Sequence, residues 1–155
     1  MVTVGQPAPD FALRSDEGET VRLSDLRGQP VVVYFYPKDD TSGCTIQACD
    51  IRDSWGEFTK AGATVLGISP DGTDSHVQFK EKFTLPFPLL SDEDHSVAEA
   101  YGAWGEKTRY GKTSVGLIRS GFVIDREGNV AAAKVNVKAD KHRQWALDQL
   151  AKLPG

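Results

Sequence analysis

Cys44 and Cys49 are the two cysteines of this 155-residue chain, and they stand five positions apart. They close the stretch Tyr36-Pro37-Lys38-Asp39-Asp40-Thr41-Ser42-Gly43-Cys44-Thr45-Ile46-Gln47-Ala48-Cys49. A β-branched and aromatic run precedes it and a helical pattern follows. In α/β folds, ligands gather at the carboxyl ends of strands, where loops of this kind lie. The pattern places Cys44 at a helix start. Unsatisfied backbone N–H groups and the helix dipole there favour a thiolate over a thiol, and the thiolate is the nucleophile. No histidine neighbours the pair in sequence, so a Cys–His base arrangement is not indicated.

Steps of three and four from Cys44 reach Ala48, Ile51, Trp55 and Phe58, one apolar stripe that should pack on a sheet. Cys49 shares its side with Asp53, Gly56 and Lys60, which reads as the wet face. Five residues of α-helix separate two Cα atoms by roughly 8.7 Å. A disulfide needs them within about 7 Å. The two sulfurs therefore cannot bond while the helix is intact, and if they do bond, its first turns must unwind. The spacing also argues against Cys-x-x-Cys exchange chemistry, which needs no unfolding.

The elements that hold this stretch follow from pattern. Phe11–Leu13 and Thr20–Leu23 flank an acidic, Gly-containing turn and read as an N-terminal β-hairpin. Ser24–Arg27 before Gly28 reads as one helical turn. Val31–Tyr36 suits a central strand buried on both faces. A helix is expected from about Cys44 to Ala61, a strand over Ala63–Ser69 and a helix over Asp74–Phe83. Leu85-Pro86-Phe87-Pro88 is restricted to extended or loop conformations. A short helix over His95–Tyr101 ends at Gly102. Strands at Phe122–Asp125 and Val130–Val135 flank a turn, and Asp140 is expected to cap a last helix reaching Leu150. Alternating strands and helices predict an α/β fold with a mixed central sheet, in a thioredoxin-like arrangement.

Composition excludes several classes. Length and the absence of repeats or linkers predict one domain over residues 1–155. The net charge is −4, and the 18 Lys and Arg form no block, which argues against nucleic-acid binding. The longest apolar run is far shorter than the ~20 residues of a membrane span. No secretory signal is read at the N-terminus, so a cytoplasmic protein is expected. Two cysteines are too few for a disulfide scaffold or, alone, a zinc site. His76, His95 and His142 lack ligand spacing, so surface or cap roles are expected and no metal. Asp39-Asp40 reads as a solvated loop. Trp104 is left open between core and pocket rim.

Pro37-x-x-x-Thr41-x-x-Cys44 matches the active-site signature of peroxiredoxins. With Cys49 five residues on, the chain resembles the bacterioferritin comigratory protein (peroxiredoxin Q) branch of that family. Gly5–Phe11, Tyr101–Lys107 and Arg119–Asp125 carry the same resemblance, which spans nearly the whole chain. It implies a thioredoxin-like fold and reduction of hydrogen peroxide and organic hydroperoxides without a cofactor. It also implies roles: Cys44 as the peroxidatic cysteine, forming a sulfenic acid, and Cys49 as the resolving cysteine of an intramolecular disulfide. Thr41 would bond the peroxide and thiolate, Arg119 would stabilise thiolate and transition state, and Pro37 would shield the pocket. Thioredoxin or a glutaredoxin-like dithiol is the implied reductant. Nothing in spacing alone selects Arg119 from the eight arginines.

The chain departs from the family pattern at Ser42, commonly proline, and at Gly121, commonly Thr or Ser. A general thiol–disulfide oxidoreductase and a redox sensor are the alternative readings. The Cys pair requires no partner chain, so a monomer is expected, and a weak dimer is compatible.

Overall fold

The computed structural model describes residues 2–109 and 111–154. Its main sheet has seven strands in the order β2-β1-β5-β4-β3-β8-β9. The N-terminal hairpin is β1 (Ala12–Ser15) with β2 (Thr20–Arg22), followed by a 3-10 turn at Leu23–Leu26. β3 (Val31–Phe35) lies parallel to β4 (Thr64–Ser69), which lies parallel to β5 (Leu89–Ser91). On its other side β3 pairs antiparallel with β8 (Ser120–Ile124), and β8 with β9 (Val130–Val135). The sheet is therefore mixed, as the pattern predicts.

β3 is buried at every position, and its side chains alternate between the two faces. Val31, Val33 and Phe35 join a core with Leu66, Ile68, Phe122 and Tyr101, the last from α4 (Ser96–Tyr101). Val32 and Tyr34 join the opposite core with Val65, Phe79 and Phe87, closed by helices on that face. These are α1 (Ser42–Asp53), α2 (Trp55–Lys60), α3 (Thr73–Phe83) and α5 (His142–Ala151). Burying one such aromatic or aliphatic side chain is worth about 1.5–3 kcal/mol, so the two cores hold the sheet as a rigid floor. The helix that carries both cysteines rests on that floor.

Four expectations change. The helix expected over Cys44–Ala61 starts two residues earlier and is broken at Ser54 (φ −109°, ψ 19°) into α1 and α2. Ser54 and Gly56 are poor helix formers, and Ser54 Oγ accepts a hydrogen bond from Arg143 Nη1 at 3.1 Å. The final helix is capped by Lys141, not Asp140, and no side-chain bond closes its start. β5 is a strand that the two prolines before it concealed. β6 (Trp104–Arg109) and β7 (Lys112–Leu117) form a separate two-stranded ribbon, in a segment too polar and Gly-rich to show a buried-strand pattern.

The histidines change most. His76 and His142 are fully buried, not at the surface. His95 occupies the N-cap position of α4, and its ring stacks on Trp104 at 3.8 Å. That contact packs Trp104 against the first core. His142 explains Gly121. A Cβ at residue 121 would lie 2.6 Å from His142 Nε2 and 2.9 Å from Trp145, so the missing side chain makes room for the imidazole. His142 also packs on Tyr34, with ring centroids 5.2 Å apart.

Neither ring nitrogen of His142 has a hydrogen-bond partner among the described residues. Burial, helped by the Arg119 charge, holds its pKa down to about 3, from 6.5 for a free imidazole. The unfolded chain takes up a proton here that the folded chain refuses. This contribution to stability is complete above pH 6.5 and is lost as the pH falls towards 3. Urea unfolding at a series of pH values should show the effect. Wild type should lose stability more steeply than His142→Phe across that window, by up to about 1.4 kcal/mol per pH unit. Parallel curves would contradict the assignment.

Candidate active site

α1 begins where the chain leaves the end of β3 and crosses the loop Tyr36–Thr41. Thr41 is its N-cap, in extended conformation (φ −88°, ψ 157°). Ser42 follows as the first helical residue, a position where proline is also well accepted, so the departure at Ser42 leaves the helix start in place. The first intrahelical bond runs from Thr45 N–H to Thr41 C=O at 2.8 Å. The N–H groups of Ser42, Gly43 and Cys44 precede it and form the positive end of the helix. Cys44 is 1% exposed and faces the sheet with Ala48, Ile51 and Phe58, as the stripe predicts.

The structure brings Arg119 to this sulfur. The residue lies just before β8, and its Nη2 donates to Cys44 Sγ at 3.4 Å. Its Nη1 donates to Gln47 Oε1 at 2.5 Å. Gln47 is fully buried and sits one helical turn beyond Cys44. The guanidinium fork thus spans two acceptors at positions i and i+3 of one helix. Sequence reasoning overlooked Gln47. A polar residue three positions after Cys44, beside the apolar stripe, was the available signal. Gly43 completes the fit, because a Cβ there would lie 2.9 Å from Arg119 Nη2.

Thr41 and Pro37 frame the loop. The Thr41 hydroxyl donates to Lys38 C=O at 2.9 Å, so its proton holds the turn and its lone pairs remain free to accept. Pro37 is half-buried and lines a groove with Arg119, Leu117, Val137 and Lys138, between β7 and the segment that follows β9. The loop itself is not wholly solvated. Asp40 is exposed and paired with Lys82 at 2.7 Å, but Asp39 is buried among groups from α3 and from the ends of β3 and β4. Tyr36 is three residues away, but the partners from α3 and the end of β4 lie more than thirty residues along the chain, beyond the reach of a local reading.

Both cysteines are free thiols on one continuous helix. Cys49 is half-buried, not fully on the wet face. Burial pushes its thiol up, against a smaller opposing pull from Arg52, and Asp53 and Asp50 raise it further. It is therefore protonated and quiet near neutral pH while α1 is folded. The arrangement offers one sulfur backed by a helix N-terminus and a permanent cation, and a second held in reserve. Chemically, such an arrangement can support nucleophilic attack by Cys44 followed by thiol–sulfur exchange.

The AhpC/TSA family model matches residues 4–133. The chain is 52% identical over 141 residues to a putative peroxiredoxin bcp of Coxiella burnetii, covering 91% of this chain and 93% of that protein. It is 48% identical over 149 residues to peroxiredoxin Bcp of Bacillus subtilis, covering 96% and 95%. The bacterioferritin comigratory protein of Xanthomonas campestris, whose structures were used to study alkyl peroxide reduction, is similar in fold. It superposes with a TM-score of 0.88 at 37% identity, covering 96% of this chain and 98% of that one. A cysteine-to-serine mutant of PrxQ from Xylella fastidiosa gives 0.90 at 32% identity, covering 97% and 96%. The helix-start cysteine, the arginine aimed at it and these relatives agree: the chain belongs to the AhpC/TSA family, among its Bcp peroxiredoxins.

Proposed function

We propose that the chain is a thiol-dependent hydroperoxide reductase of the two-cysteine type, acting as one unit over residues 1–155. The observation that carries this is the Arg119 fork on Cys44 Sγ and Gln47 Oε1 at the start of α1. The substrate is hydrogen peroxide or an organic hydroperoxide entering beside Pro37 and Arg119. Thr41, whose own proton is engaged by Lys38, accepts the peroxide O–H.

The Cys44 thiolate attacks the terminal peroxide oxygen. An S–O bond forms, the O–O bond breaks, and the departing alkoxide or hydroxide takes up a proton. Sulfur loses two electrons and the peroxide gains them, leaving Cys44 as the sulfenic acid. Arg119 faces both the sulfur and the charge that develops on the leaving oxygen, and it needs no reorganisation to do so. Burial of Cys44 keeps bulk water from the exchange.

Resolution needs Cys49. Its sulfur attacks Cys44–SOH, the S–S bond forms and water leaves. The intact helix holds the two Cα atoms roughly 8.7 Å apart, so the first turns of α1 must open. Opening also frees Cys49 from the burial that keeps it protonated. An external dithiol, thioredoxin or a glutaredoxin-like protein, then reduces the pair and is itself oxidised to a disulfide. No partner chain is needed, so the reading is a monomer, and its place is the cytoplasm. Among the described residues no helix is long and apolar enough to cross a membrane.

Stopped-flow mixing of the reduced protein with hydrogen peroxide should oxidise Cys44 far faster than a free thiol. In Cys49→Ser the sulfenic acid should persist and pass to sulfinic acid more readily with added peroxide. A rate no better than free cysteine would overturn the reading. Hydrogen exchange supplies a second test. The disulfide form should exchange amides over residues 44–50 faster than the reduced form, and unchanged protection would contradict helix opening.

A further inference from the structure

Asp39 is the densest polar junction in the loop that leads to Cys44. It is 7% exposed. Its Oδ1 accepts from Tyr36 Oη at 2.6 Å. Its Oδ2 accepts from Ser75 Oγ at 2.8 Å and lies 2.7 Å from His76 Nδ1. Its backbone N–H donates to Asp71 Oδ2 at 2.7 Å, and Asp71 is held in turn by Ser69 Oγ at 2.9 Å. The Tyr36 phenol is pushed up by burial, so it keeps its proton and donates. His76 is fully buried, and its Nε2 meets Leu90 C=O at 2.9 Å. A carbonyl only accepts, so Nε2 carries a proton, and one further proton is held between Nδ1 and Asp39 Oδ2.

This network has no part in the chemistry described above. It ties one loop residue to the end of β3, the end of β4, β5 and α3 at once. Only residues 40–43 separate Asp39 from Cys44. Asp40 takes a left-handed conformation (φ 59°), and the Thr41 hydroxyl closes the turn back onto Lys38. Beyond this point the fixed points thin out. The N-cap Thr41 makes no side-chain cap bond to α1, and Ser42 leaves φ free where a proline would set it. The chain is therefore clamped at Asp39 and loosely begun at Thr41 and Ser42, both ahead of Cys44.

We propose that the Asp39–His76 junction is a positioning clamp that sets the balance between two forms of α1. In the closed form Cys44 stands before Arg119 and attacks peroxide. In the opened form it reaches Cys49. The clamp holds the incoming chain so that the first turn closes on Arg119, and it marks where opening stops. His76, Ser75 and Tyr36 act through Asp39; among the described residues the hydrogen bond to the sulfur comes from Arg119. The inference rests on the peroxidase reading and deepens it. A weaker clamp should slow attack, because less of the protein is closed. It should also spare Cys44 from sulfinic acid, because a second peroxide can attack the sulfenic acid only in the closed form.

The test uses the full chain, hydrogen peroxide and three variants. His76→Phe keeps an aromatic ring and removes both hydrogen bonds. Ser75→Ala removes one donor from Asp39 at the half-buried edge. His76→Asn retains a donor near the position of Nδ1. Stopped-flow gives the second-order rate constant for peroxide, and mass spectrometry gives the sulfinic acid formed per turnover. His76→Phe should lose about tenfold or more in the rate constant, the scale expected of a hydrogen bond to a charged group. Its sulfinic yield per turnover should fall severalfold. His76→Asn should recover part of both, and Ser75→Ala should move both in the same direction by less. A purely structural role would lower the amount of folded protein but leave the rate constant and the yield of the folded fraction unchanged. That result in folded variants overturns the clamp. If His76→Phe does not fold, Ser75→Ala decides between the same two outcomes. A wild type no faster than free cysteine would instead remove the peroxidase reading, and the clamp with it.

Discussion

The site depends on one planar cation held between two points of one helix. Arg119 reaches Cys44 Sγ with one nitrogen and Gln47 Oε1 with the other. A fork of fixed geometry can do this only if its two acceptors lie one turn apart on a face that looks at it. That requirement reaches far into the fold. β3 must be buried on both faces so that α1 can lie on the sheet. β8 must pair antiparallel beside β3 so that the residue before it arrives at the start of α1. Gly43 leaves room for the guanidinium, which a Cβ there would push aside. Each of these is ordinary packing, and together they aim a permanent charge at one sulfur.

The second constraint is the helix itself. It presents Cys44 for attack and keeps Cys49 out of reach. The same burial that holds Cys49 protonated disappears when the first turns open, so geometry and protonation change together. In the proposed cycle, attack and resolution are thus separated by a conformational step, with no partner chain needed to order them. A loosely begun helix suits this task. Thr41 gives no side-chain cap to α1, and Ser42 does not fix φ. The firm anchoring lies upstream, at Asp39.

Much of this was legible in the chain. The β3 run, the apolar stripe of α1 and the position of Cys44 follow from local periodicity, and the structure keeps them. The N-terminal hairpin and the closing strands follow from turn signals. What was not legible depends on residues distant in sequence. Asp39 looks solvated until α3 delivers Ser75 and His76 to it. His142 looks like a cap residue until Gly121 is seen beneath its ring. Gln47 looks like a neutral helix residue until Arg119 arrives from 72 positions away. β5 was concealed by the two prolines before it, and the β6–β7 ribbon by polar, Gly-rich sequence without a buried face. Choosing Arg119 from the other arginines rested on resemblance, and the contact to Cys44 Sγ supplies the physical reason for it.

In the proposed cycle one peroxide converts two thiols that are distant on an intact helix into one bond within the same chain. Peptide mapping by mass spectrometry, without reduction, after one equivalent of hydrogen peroxide reads that bond. The expected product is a peptide linked through Cys44 and Cys49, from a protein of unchanged monomer mass. Cys44 left as a sulfenic or sulfinic acid beside a free Cys49, or a link joining two chains, would contradict it.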